Sequence, residues 1–239
     1  KDERKMEASK KSDDIDYVEP VNYRYLNSNQ KETLTDYAVL LAPFYKQNNN
    51  VQKLFGRMLA TKNNELKLNA AITLIKNNQP VPDSIFRELA ANDHTRGKLY
   101  KELSAIKKLQ LFPAKYKTQV DLARSFLVAD KNYDKIDSIV FIDKQISGFE
   151  HSRGMAYSFK YRVEKDDDWK IGISGLQPVD STEVNADNRL ANMTDKKLKT
   201  DNPVNEQLQE QLKKTIFSLR NSSRHFYENQ RYYFRYDDN

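Results

Sequence analysis

DSIVFIDKQISGFEHSRGMAYSFKYRVEKDDDWKIGIS, residues 137–174, is where the hydrophobic rhythm of the chain changes from a period of 3.6 residues to a period of 2. Segment 138–146 is rich in β-branched residues. Segment 155–163 sets Met155, Tyr157, Phe159, Tyr161 and Val163 against Ala156, Ser158, Lys160 and Arg162, and segment 169–176 sets Trp169, Ile171 and Ile173 against Lys170, Gly172 and Ser174. Alternation of this kind marks half-buried antiparallel strands. The turns Ser147-Gly148 to Arg153-Gly154 and Lys165 to Asp168 are short, so the three strands are expected to form a meander with one aromatic face. A helix expected over 204–228 carries Leu208, Leu212, Ile216, Leu219, Phe226 and Tyr227 and would cover that face. Tyr232, Phe234 and Tyr236 alternate in a last strand. Residues 177–203 read as a polar excursion with a helical turn near 187–195. The second part, 131–239, is thus expected to be an α+β domain of order β-β-β-α-β.

Upstream of Asp137 the pattern is helical. Between Lys31 and Ala129 only Gly56 and Gly97 interrupt apolar residues recurring at three and four. The first helix, 31–47, is expected to turn Leu34, Tyr37, Ala38, Leu41, Phe44 and Tyr45 inward, with Pro43 bending or ending it. Further helices are expected near 51–61, 64–76, from Asp83, over 95–109 and from Pro113. Shifted by 31 residues, Leu54 falls on Ile85, Phe55 on Phe86, Met58 on Leu89, Leu68 on Leu99, Ile72 on Leu103 and Ile75 on Ile106. The stretch NVQKLFGRMLATKNNELKLNAAITLIKNN, which holds the first of these copies, resembles a HEAT-type helical repeat over roughly 31–128. That resemblance implies antiparallel helix pairs stacked on their neighbours. Residues 1–30 read as a solvated tether and irregular lead-in, 31–130 as the helical repeat domain, and 131–239 as the α+β domain.

Composition excludes several classes of function. The 239 residues contain no cysteine, which removes disulfides, thiol catalysis and thiolate metal sites. No run of about 20 apolar residues is present to span a membrane. The three histidines, His94, His151 and His225, lie far apart, and each reads as a surface or capping residue. Asp166, Asp167 and Asp168 read as a solvated turn. Ser222 and Ser223 beside His225 lack an orienting acid and an oxyanion arrangement. With six glycines and no phosphate-cradling motif, neither an enzyme nor a cofactor is expected.

Two surfaces are candidates for binding. Lys and Arg number 40 against 34 Asp and Glu, a net charge of +6. Arg96, Lys98, Lys101, Lys107, Lys108, Lys115, Lys117 and Arg124 face only Glu102 and Asp121 in sequence, so this flank alone supplies the excess, eight minus two. Nucleic acid could use such a flank, although no Arg/Gly-rich or RNP-like segment accompanies it. Tyr157, Tyr161, Trp169, Tyr232 and Tyr236 form a candidate aromatic face for carbohydrate or peptide. The expected function is a non-enzymatic protein-interaction or scaffold segment of a larger bacterial protein, its partner another protein or another domain of the same polypeptide. The alternatives are a ligand-recognition domain of an extracytoplasmic enzyme and a nucleic-acid binder. Nothing in the sequence fixes a compartment.

Overall fold

Asparagine side chains start the helices of the first hairpin. Asn48 accepts from the backbone N–H groups of Asn50 and Val51 (2.9 and 3.3 Å), and Asn63 accepts from that of Leu66 (3.1 Å), satisfying donors that an opening turn leaves unpaired. The computed structural model describes residues 28–130, 136–149, 152–165, 167–180, 184, 190–199 and 201–217. They form a helical region followed by a four-stranded antiparallel sheet and a C-terminal helix, a mixed α+β fold. Two compact units divide the chain, Lys1–Gln79 and Pro80–Asn239.

In the first unit, α1 (Ser28–Leu41) runs into a 3-10 turn at Ala42–Phe44, where Pro43 stops the α-helix. α2 (Asn49–Ala60) and α3 (Asn64–Lys76) form a hairpin. α3 packs against both α1 and α2 and is buried from Leu66 to Leu74, apart from the half-buried Asn69. The Nδ2 of Asn69 donates to Thr35 Oγ1 of α1 at 3.1 Å, and the Tyr45 ring meets Phe55 edge to face at 5.8 Å. Ala38 of α1 and Ala42 of the turn that follows it are fully buried.

The second unit begins with α4 (Asp83–Ala91) and α5 (Asp93–Ala105), continues through 3-10 turns at Leu109–Leu111 and Ala114–Tyr116, and reaches α6 (Gln119–Asp130). The 31-residue shift survives as burial. Phe55/Phe86, Met58/Leu89, Leu68/Leu99 and Ile72/Leu103 are buried pairs, while Leu54/Ile85 and Ile75/Ile106 are half-buried pairs. The two hairpins nevertheless fall in different units, and α4–α6 fall in the same unit as the sheet, a division other than the expected one near 130.

The sheet runs β1 (Ser138–Phe149), β2 (Ser152–Arg162), β3 (Lys170–Gln177) and β4 (Leu190–Lys197), paired in that order. Both of its faces are apolar, not one. Register places Phe159 opposite Gly172, and Ser158 opposite Ile173. Tyr157, Phe159 and Tyr161 therefore lie on one face, against Ala123, Leu127 and Val128 of α6. Ile171 and Ile173 lie on the other with Ala156 and Leu176, against Leu208 and Leu212 of a helix over 204–217, here α7. The helix expected to cover the aromatic face thus covers its reverse.

β4 occupies part of the stretch expected to be a polar excursion. Its sequence, LANMTDKK, has no strand alternation, and pairing with β3 supplies the order instead. The continuation of the last helix beyond 217 and the strand expected at 232–236 lie outside the described residues. A Cβ on Gly154 would stand 2.5 Å from the carbonyl oxygen of Gln177, a backbone atom that cannot yield cheaply. Gly154→Ala is expected to cost about 1–3 kcal/mol in urea unfolding followed by Trp169 fluorescence.

Candidate functional site

Apolar side chains stand exposed on the outer side of α1 and the turn that follows it. Residues 37–45, Tyr-Ala-Val-Leu-Leu-Ala-Pro-Phe-Tyr, are apolar all round, and a helix of that kind belongs under cover on every side. Packing against α3 covers only one. Ala38 and Ala42 are buried and Leu34, Leu41 and Tyr45 half-buried, whereas Tyr37, Val39, Leu40 and Phe44 are between 52 and 67 % exposed. Tyr37 and Leu40 share a face of α1 at i, i+3 spacing, and Phe44 lies in the 3-10 turn that follows it. The inward stripe expected for 31–47 is therefore corrected at Tyr37 and Phe44, which point to solvent. With apolar residues on every side the sequence carries no phase, so periodicity alone could not tell inner from outer.

The basic flank is not a single surface. Arg96 is 1 % exposed, which contradicts its place in that flank. Its guanidinium donates to the carbonyl oxygens of Ala90 (2.6 Å), Ala91 (3.1 Å) and Asp121 (3.0 Å) and to Asp93 Oδ1 (2.5 Å), and it lies 5.4 Å from the centre of the Tyr116 ring. It thereby caps the end of α4 and joins it to α6, a structural task. Arg124 also pairs with Asp93, at 3.1 Å. Lys98, Lys101, Lys107, Lys115 and Lys117 are exposed and Lys108 is half-buried. On one helix Arg96 and Lys98 stand about 200° apart, so adjacency in sequence does not make adjacency on the surface.

The aromatic face is likewise divided. Tyr157 and Tyr161 are buried against α6, which corrects their assignment to an accessible binding face. The Tyr157 hydroxyl donates to Gln119 Oε1, whose amide in turn donates to the carbonyl oxygens of Pro178 (3.0 Å) and Asp180 (2.8 Å). Burial pushes the Tyr157 hydroxyl above the usual phenol range, so it stays protonated as a donor. Trp169 is half-buried, with Lys160 Nζ 4.6 Å and Arg162 Cζ 5.0 Å from its ring centre. Its cationic partners are already supplied by the chain itself. Tyr232 and Tyr236 lie outside the described residues.

Charge does shape the far side of the sheet. Glu210 accepts from Lys214 (2.6 Å) and Lys196 (3.0 Å), and these two ammonium groups hold its carboxyl down from 4.5 to about 2. A carboxyl that is more acidic in the folded chain than in the unfolded one adds stability above the unfolded value and loses it as pH falls through the folded one. The stability difference between the parent chain and Glu210→Gln is therefore expected to be full at pH 6 and to fade between about pH 4.5 and 2. Thermal unfolding of both across that range measures it, and a difference constant with pH would count against the pairing. Asp168 is shifted the same way by its contact with Lys197 at 2.5 Å.

Among the described residues, no group of three or more His, Asp or Glu side chains could hold a metal ion, and no helix is long and apolar enough to cross a membrane. No protein-family model, curated protein or solved structure matches this chain. The likeness to HEAT repeats accordingly rests on the 31-residue spacing alone.

Proposed function

We propose that this chain is a non-enzymatic protein-interaction module that receives its partner on the outer face of α1. The observation that carries this reading is the concentration of Tyr37, Val39, Leu40 and Phe44, all more than half exposed, within eight residues. Full burial of a side chain of this size contributes about 1.5–3 kcal/mol, so closing the face releases several kcal/mol in total. Contiguous apolar patches of this kind mark interaction sites on soluble proteins. The partner is a protein surface with an apolar stripe, as an amphipathic helix provides, on a separate chain or on another domain of the same polypeptide.

A photoreactive benzoylphenylalanine placed at Leu40 of the full chain, in its host cells, tests this. A discrete adduct with one protein species, or a discrete internal crosslink, is expected at position 40 and not at the exposed Lys53 of α2. No adduct at 40, or the same adducts at both positions, would contradict the proposal.

A further inference from the structure

The connection between α5 and α6, residues 106–118, carries Lys107, Lys108, Lys115 and Lys117, and no Asp or Glu falls between Glu102 and Asp121. It folds back along α5 from the end of that helix. Two 3-10 turns shorten it, the Phe112 ring meets Tyr100 edge to face at 5.1 Å, and the Tyr116 ring centre lies 5.4 Å from Arg96 Cζ. Arg96 stands about 14 Å before the last residue of α5, Ala105, so Lys107 and Lys108 lie at one end of a row and Lys115 and Lys117 at the other. Lys107, Lys115 and Lys117 are exposed and Lys108 is half-buried. Among the described residues, none of the four forms an ion pair.

Lys107 is also kept against a local preference. Its φ is 56°, the left-handed position just past a helix end that usually holds Gly or Asn, and Asn78 fills the matching place after α3 at φ 54°. A row of unneutralised cations, one of them held in an unfavourable backbone conformation, suits an anionic partner. About four to five residues of extended chain match its length. A nucleic-acid backbone fits less well. Both arginines of this flank are committed, Arg96 to backbone carbonyls and Asp93, and Arg124 to Asp93. The Tyr116 ring already carries Arg96 and Lys115, each 5.4 Å from its centre. Neither a guanidinium fork for a phosphate nor an open ring for a base is therefore left in the row. We propose that the α5–α6 connection receives an extended acidic segment of a partner protein, with Asp or Glu carboxylates on Lys107, Lys108, Lys115 and Lys117. This surface lies in the second unit and stands independently of the docking face on α1.

Fluorescence anisotropy of labelled octaglutamate with the full chain tests this, beside octaglutamine and a short DNA duplex carrying the same label. Saturable binding of octaglutamate that weakens as salt is added is expected, with none of octaglutamine. Lys107→Gly combined with Lys115→Ser and Lys117→Ser should lower the affinity at least about tenfold. Glycine at 107 suits the left-handed backbone, so this variant should melt no lower than the parent chain by circular dichroism, and Lys115→Ser with Lys117→Ser alone repeats the test with the end of α5 untouched. Removing the same charge from the exposed Lys46, Lys53 and Lys62 of the first unit should change the affinity by less than about threefold. Equal losses in the two triple variants, or no binding of octaglutamate, would overturn the proposal. Tighter binding of the duplex than of octaglutamate, lost in the first triple variant, would overturn it in favour of nucleic acid.

Discussion

Arg96→Met is expected to destabilise the second unit by about 3–5 kcal/mol, the cost of removing one member of a buried, hydrogen-bonded charge cluster. The substitution keeps most of the volume but removes four hydrogen bonds at once, those to Ala90, Ala91, Asp93 and Asp121. Three of these acceptors are backbone carbonyls that do not leave with the side chain; the bond to Ala90 is buried and those to Ala91 and Asp121 are partly buried. Asp93 keeps Arg124 and so is not left wholly unpaired. Arg96→Lys should recover less than half of the loss, because an ammonium cannot reproduce the planar fork that meets acceptors on α4 and α6 together. Trp169 is the only tryptophan and belongs to this unit, so its fluorescence isolates the relevant transition from that of residues 1–79. At about 2 kcal/mol per M of urea, the midpoint should fall by about 1.5–2.5 M. A shift within experimental error would mean that the Arg96 cluster does not hold α4 to α6.

The double substitution Leu40→Lys with Phe44→Lys is expected to remove partner binding while leaving the fold intact. Two apolar anchors at the centre of an interface are worth about 2 kcal/mol or more each, so the affinity should fall by at least about 100-fold. Lysine is chosen because Leu40 lies in the last turn of α1 and Phe44 in the 3-10 turn just beyond it, where a cation suits the helix dipole. Exposed positions without special contacts change stability by about 0.5 kcal/mol or less, so the unfolding midpoint of the first unit should not move appreciably. Titration of the photo-crosslinked partner against both chains, with circular dichroism melts alongside, separates the two effects. Undiminished binding by a folded double variant would remove α1 from the interface.

What the sequence disclosed follows from where hydrophobic rhythm carries information. α2 to α5 were legible because Phe55, Met58, Phe86 and Leu89 recur with helical spacing, and β2 and β3 because Tyr157, Phe159, Ile171 and Ile173 alternate. The α+β class followed from the change between those rhythms near Asp137. Where rhythm is absent, so was the reading. β4 holds its place by hydrogen bonds to β3, which leave no trace in side-chain order. Residues 37–45 are apolar on every side, so nothing marks Tyr37 and Phe44 as outward. The two faces of the sheet depend on cross-strand register, which fixes that Tyr157 and Ile173 point apart, and a sequence does not display register. Arg96 reads as a surface charge because its residue type belongs there in most proteins. Only the fold brings the carbonyls of Ala90, Ala91 and Asp121 around its guanidinium.

Hydroxyl-radical footprinting, comparing the purified chain with the chain in its partner-bound state, measures directly whether α1 is covered. Tyr37, Leu40 and Phe44 are expected to oxidise readily in the free chain and to be strongly protected in the bound one, while the exposed Phe217 of α7 reacts equally in both. Equal oxidation of Tyr37, Leu40 and Phe44 in the two states would contradict the assignment of α1 as the docking face.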